Sequence, residues 1–221
     1  MHFEILVEDQ SGKKALDILV PKIIASEDTY KVHSYKGIGR IPKNLNGKAD
    51  ASRRILLDQL PRLLRGYGNS FANCSDDYPA VVILICDLDG KCLQTFRQEL
   101  LAILDTCNPK PETRFCIAIE EGEAWFLGDI PAIKAAYPKA KVPVLNSYEN
   151  DAICGTWEHL ADAVFPGGAQ TLSGKGWQAI GAEKSAWSER IAPHMDVAKN
   201  SSPSFCYFKT TLQKLAGFEG Y

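Results

Sequence analysis

The sequence contains no apolar run approaching the roughly 20 residues needed to span a bilayer, so a membrane-embedded chain is not expected. The opening segment, Met1-His-Phe-Glu-Ile-Leu-Val7, has no basic leader and reads as a strand, not a signal peptide. No C-x-x-C pair occurs. The seven cysteines are scattered and odd in number, and Cys86 and Cys116 sit in apolar strand-like runs. This usage points to reduced, mostly buried thiols in a cytoplasmic protein and away from a zinc cluster. His2, His33, His159 and His194 fall in no ligand spacing and read as structural or surface residues. A P-loop is missing: Gly167 to Gly176 has the wrong spacing and a Gly where the hydroxyl residue belongs. An EF-hand is excluded because Gly90 directly follows the second Asp of Asp87-Leu-Asp89. Ser11 lacks the G-x-S-x-G elbow of a serine hydrolase. Internal repeats and low-complexity tracts are lacking too.

What is present suits an α/β protein. The 221 residues are enough for one such domain with a small appended lobe. Phe3 to Val7 is β-rich. Ala15, Leu16, Leu19, Ile23 and Ile24 then recur at helix spacing, with Ser11 as the expected N-cap. Thr29 to Tyr35 reads as a second strand, and a Gly- and Lys-rich stretch, residues 36–40, leads to an expected helix from about Ala49 to Leu64. Residues 66–79 are polar with Gly, Asn and Ser, and read as a loop. Ala80 to Cys86 is apolar throughout, as in a strand buried on both faces. A helix is expected over Leu93–Leu104, a strand over Arg114–Ile119, then a turn and short helix through residues 120–129. This alternation predicts a central parallel sheet flanked by helices over residues 1–137. Residues 138–221 are expected to form a mostly helical C-terminal extension packed on that core, including Thr156–Val164 and Lys184–Ile191.

Ligands of open parallel sheets bind at the carboxyl ends of the strands. Three of the expected strands end in acids: Glu8, then Asp87 and Asp89, then Glu120 and Glu121 with Glu123 just beyond. In extended chain, Asp87 and Asp89 point to one side and repel unless a cation or proton lies between them. A hard divalent ion, Mg²⁺ or Mn²⁺, answers that repulsion. Acids after strands also serve as N-caps and turn formers, which is the competing reading for Asp89, Glu120 and Glu121. Residues 36–65 carry a local basic excess: Lys36, Arg40, Lys43, Lys48, Arg53, Arg54, Arg62 and Arg65 against Asp50 and Asp58. A metal site beside such a strip suits a phosphodiester, with Lys36, Arg40, Lys43, Arg53 and Arg54 as the expected phosphate contacts. The Gly37-Ile-Gly39-Arg40 loop offers backbone N–H groups to a phosphate. A solvated helix face with a loop is the plainer alternative.

Two family resemblances follow from these motifs. A hydrophobic strand ending in D-x-D-G is similar to the first motif of haloacid-dehalogenase-type phosphatases, which implies Asp87 as nucleophile and Asp89 as acid/base. That family expects Thr or Val where Lys91 stands, and it gives Glu8 no role. Glu8 after a first strand, followed by a helix and then D-x-D after a later buried strand, resembles the Toprim fold of topoisomerases, primases and overcoming-lysogenization-defect (OLD) nucleases. More narrowly, the chain resembles a bacterial Toprim-related family of unknown function often encoded beside an ATPase. The matching pieces are Leu6-Val-Glu8, Asp87-Leu-Asp89, Ile117 through Asp129, Lys184 to Ile191 and Asn200 to Phe205. Asp9 departs from the Gly that commonly follows the first Glu in Toprim proteins. The resemblance implies a Toprim/Rossmann-like sheet with Glu8 as general acid/base or metal ligand. It further implies Mg²⁺ on Asp87 and Asp89, and Glu120 or Glu123 at a second metal position. Trp125 reads as a core aromatic. The expected function is a Mg²⁺-dependent nuclease acting on a DNA or RNA backbone, as the effector of a defence or toxin system with an ATPase partner. A non-catalytic metal- or partner-binding subunit and the phosphatase remain open, as does a homo-oligomer.

Overall fold

Four apolar runs pair into one parallel sheet in a computed structural model that describes residues 1–45, 50–73, 79–151 and 155–217. The strands are β1 (His2–Val7), β2 (Thr29–Ser34), β3 (Ala80–Asp87) and β4 (Thr113–Ala118), in the order β2-β1-β3-β4. β1 is parallel to β2 and to β3, with Val7 opposite Ser34 on one side and Ile85 on the other. The chain therefore runs from β1 to one edge, then crosses back to build the other half. The reversal of strand order lies between β1 and β3, where α/β sheets open a crevice at the carboxyl ends.

Both faces of the sheet are covered, which is why β3 is apolar without alternation. Phe3, Ile5, Val7, Val81, Ile83 and Ile85 face one core, and Leu6, Val82, Leu84 and Cys86 face the other. The first core is closed by α1 (Gln10–Leu19). The second is closed by α2 (Leu56–Phe71) and α3 (Leu93–Asp105). Seven further helices follow β4 among the described residues: α4 (Glu123–Leu127), α5 (Ile130–Ala136), α6 (Val142–Asn146), α7 (Thr156–Val164), α8 (Gly168–Ser173), α9 (Trp177–Ile191) and α10 (Pro203–Leu215). They supply Trp187, Ile191, Phe205, Phe208 and Leu212 to the same core as β1 and α1, so sheet and C-terminal helices share one apolar interior. Trp125 belongs to that interior: it stacks on Phe208, and its Nε1 donates to Ser204 Oγ at 3.1 Å. Cys86, Cys107 and Cys116 are buried thiols, whereas Cys92 is exposed.

Four local expectations are corrected. The N-cap of α1 is Asp9, not Ser11: Asp9 Oδ1 accepts from Gly12 N at 2.7 Å, and Ser11 Oγ donates to Asp9 Oδ2 at 2.5 Å. A carboxylate satisfies an orphan amide of the first turn more strongly than a hydroxyl. The helix expected over 49–64 starts later. A short 3₁₀ turn over Ala51–Arg53 ends at Arg54 in a left-handed conformation (φ 52°), and α2 begins only at Leu56. Ala49 and Lys48 lie outside the described residues. The loop expected from residue 66 is instead helix as far as Phe71, and residues 74–78 of it lie outside the described residues. Its glycines are not breakers here. A Cβ on Gly68 would lie 2.0 Å from the Pro109 carbonyl oxygen, so glycine lets α2 approach that loop, while Leu60 and Leu64 anchor the helix in the core. Helix α9 also begins earlier than expected, at Trp177. No helix among the described residues is long and apolar enough to cross a membrane.

The two glycines of α2 make a matched test. Gly68→Ala has no room and is expected to lower unfolding free energy by roughly 1–3 kcal/mol in urea titration. Gly66→Ala faces open space and is expected to raise it by up to about 1 kcal/mol through helix propensity. Equal effects at both positions would show that the contact with Pro109 does not control α2.

Candidate active site

Glu8 follows the last residue of β1, and Asp87 is the last residue of β3. Because these strands are neighbours and parallel, their ends deliver both carboxyls to one place. The two side chains hydrogen-bond each other, and burial pushes both above the usual carboxylate range. For Asp87 the next cause is the Glu8 charge. The charges of Asp9 and Asp89 raise Glu8 further. Oε2 of Glu8 is enclosed and has no hydrogen-bond partner. An enclosed carboxylate oxygen without a donor is costly, so the pair calls for a shared proton or a bound cation.

The two acids line a cavity of about 50 Å³ together with Gly12 of α1, Glu123 of α4 and Lys184 of α9. That volume admits an ion or a few waters but not a nucleotide. Lys184 is the residue that sequence reasoning missed. Its Nζ lies 3.1 Å from Glu121 Oε1 and 3.1 Å from Glu123 Oε2, and both Lys184 and Glu123 are largely buried. Burial opposes charge on Lys184, but Glu123, Glu121 and Asp87 together overcome it and hold the ammonium above the ordinary lysine range. Glu121 is nonetheless pushed up to about 7, because burial outweighs an ammonium that it shares with Glu123. No local pattern in α9 distinguishes Lys184 from other surface-spaced lysines. Its role appears only when α9 packs on α1.

The other expected ligands are placed differently. Asp89 is half-exposed, adopts φ 49°, and pairs with Lys91 at 2.9 Å. The strand ends at Asp87, so the extended geometry that would align Asp89 with Asp87 is not present. Glu120 (φ 58°) turns to α7: its Oε1 accepts from Gly155 N at 2.6 Å and its Oε2 from Thr156 N at 2.7 Å, and Thr156 Oγ1 also donates to it. Both oxygens thus serve the positive end of that helix. Among the described residues, no group of three or more His, Cys, Asp or Glu side chains is arranged to hold a metal ion. The oxygen donors that meet are Glu8 and Asp87. This fits Mg²⁺ or Mn²⁺, which bind through one or two carboxylates with waters completing the shell.

The basic strip reaches the same rim by its root. Gly37 N donates to the Glu8 carbonyl at 2.8 Å, and Lys36 N to the Arg54 carbonyl at 2.8 Å. The Gly37 amide is therefore spent within the fold, as is Arg40 N, which donates to Asp58 Oδ1. Neither of these two amides is therefore available to a phosphate. The side chains of Lys36, Arg40 and Lys43 are exposed, whereas the Arg54 guanidinium donates to the Ser34 carbonyl at 2.6 Å and Arg53 lies 3.6 Å from Asp50. Arg40, Lys43 and Lys91 line an open groove of about 560 Å³ with Phe96 and Glu99, between the loop and α3. Lys91 joins that groove to Asp89 at the strand ends.

The fold and site thus define an α/β protein with an acidic crevice where the strand order reverses. The chain belongs to the family described as Domain of unknown function (DUF4276), whose model matches residues 7–213. Comparison with curated proteins and with solved structures returns no match.

The buried acids set a pH dependence. Folded Glu121 keeps its proton up to about pH 7, whereas in the unfolded chain it loses it near 4.5. The folded state binds more protons in that interval, so stability falls as pH rises through it. Glu8 and Asp87 act in the same direction. Glu4 is shifted the opposite way, and its loss of stability comes only below that window. Thermal unfolding in chelator is expected to show Tm dropping by on the order of 5–10 °C between pH 5 and pH 8. Glu121→Gln should reduce the drop. A Tm that holds steady or rises across this range would contradict the buried-acid account.

Proposed function

We propose that this chain is a Toprim-like, divalent-cation-dependent hydrolase of phosphodiester bonds in nucleic acid. The observation that carries the reading is the contact between Glu8 and Asp87 at the reversal point of the sheet, with one Glu8 oxygen enclosed and unpartnered. A divalent ion bound there supplies polarisation of a phosphoryl oxygen and acidifies a water. Glu8, raised above the usual carboxylate range by burial and by its acidic neighbours, is suited to take up a proton at its carboxylate. Lys184 provides fixed positive charge on the far wall of the cavity. Because the cavity is too small for a nucleotide, the substrate backbone lies across its mouth. Arg40, Lys43 and Lys91 in the adjoining groove, with Lys36 at its root, are the phosphate contacts this arrangement offers. Such contacts position a backbone without reading bases.

The dehalogenase-type alternative is less well supported. A nucleophilic Asp87 would be obstructed by its hydrogen bond to Glu8, and Asp89 is drawn to Lys91 instead of to a leaving group.

The test is hydrolysis of single- and double-stranded DNA and RNA with Mg²⁺ or Mn²⁺, by the chain alone and with the product of any adjacent ATPase gene. Asp87→Asn and Glu8→Gln are each expected to reduce the rate by about 100-fold or more while the fold is kept. Undiminished hydrolysis by the Asp87→Asn, Glu8→Gln double variant would defeat the assignment. Phosphate release from monoesters through an acyl-phosphate on Asp87 would favour the phosphatase.

A further inference from the structure

We infer that the site holds a single divalent cation, at Glu8 and Asp87, and that the ammonium of Lys184 occupies the place a second cation would take at Glu121 and Glu123. The inference rests on the metal-dependent reading above and specifies its stoichiometry.

Among the acids at this end of the sheet, Lys184 sets Glu121 and Glu123 apart from Glu8 and Asp87. Glu121 and Glu123 are each 3.1 Å from its Nζ. An ammonium has three N–H donors, and these two carboxylates engage two of them in a largely buried setting. A divalent ion there would have to expel the ammonium or lie against a like charge with little water to screen it. Oε2 of Glu8 and Oε2 of Glu121 are both enclosed without a hydrogen-bond partner, but Glu121 has its other oxygen on Lys184, whereas Glu8 and Asp87 form no ion pair among the described residues. Their side of the cavity has room for an ion and little else. Glu123 lines the same cavity, but its charge is already met by Lys184.

Lys184 lies on α9, far along the chain from the acids it neutralises. A permanent cation at this position leaves the site dependent on one exchangeable ion. It also explains why Glu120 is free to cap α7 and why Asp89 can turn to Lys91. Neither is needed to complete a second coordination shell.

The experiment counts Mn²⁺ bound per chain, by loss of the free-ion electron paramagnetic resonance signal and by calorimetric titration. The wild-type chain is expected to bind one Mn²⁺. Asp87→Asn should lose it, Glu123→Gln should keep it, and Lys184→Met should gain a second. Two ions on the wild type would overturn the inference while leaving the metal-dependent reading intact. So would a Lys184→Met chain that still binds one, or a Glu123→Gln chain that binds none. No Mn²⁺ on the wild type would overturn both. If Lys184→Met fails to fold, the wild-type and Glu123→Gln counts still decide the matter.

Discussion

The carboxyls of Glu8 and Asp87 meet because β1 and β3 are adjacent, parallel and in matched register. Parallel pairing brings the carboxyl ends of both strands to one edge, so acids at those ends cannot avoid each other. Their repulsion, in a half-buried crevice, is the constraint that the surrounding residues answer. Asp9 turns away to cap α1. Glu120 is drawn off by the amides of α7, and Asp89 by Lys91. Lys184 is carried in from α9 to meet Glu121 and Glu123. Glu8 and Asp87 are left with each other and with an oxygen that lacks a donor.

The C-terminal helices are consequently part of the site as well as part of the core. Burial of Trp187 and Ile191 fixes α9, and α9 in turn fixes Lys184. Holding a buried ammonium between two acids is favourable only if the geometry is rigid, since either partner alone would be a costly buried charge. The shared apolar interior of sheet and extension supplies that rigidity. Burial of the aromatic trio Trp125, Phe205 and Phe208 likewise ties α4, which carries Glu123, to α10.

The basic loop has a different relation to the site. Its backbone is stitched to the Glu8 carbonyl and to α2, while the side chains of Lys36, Arg40 and Lys43 stay exposed. Arg54 and Arg65 look equivalent to them in sequence but are spent on the Ser34 and Leu45 carbonyls. A run of basic residues thus separates into those that hold the loop and those that face solvent along the groove. The separation depends on which carbonyls the fold leaves unpaired, and no local pattern encodes it.

The strands and most of the helices were legible because their signals are local. The apolar run Ala80–Cys86 needs burial on both faces, and the spacing of Ala15, Leu16 and Leu19 needs one apolar helix face. From these alone followed an α/β fold with Glu8 and Asp87 at strand ends. The extent of α2 is not a local matter, because Gly68 meets a distant partner at Pro109, whereas the N-cap of α1 is a choice between the near neighbours Asp9 and Ser11. Which acids would meet, and which would be diverted, was decided only by tertiary structure. Electrostatic pairing depends on distance in space, and Lys184 stands 63 residues from Glu121 along the chain. The sequence by itself determined a parallel sheet with acids at its carboxyl edge. The packing of α9 and α7 decided that Glu8 and Asp87 are left without an ion pair, because those helices bring the ammonium that engages Glu121 and Glu123 and the amides that engage Glu120.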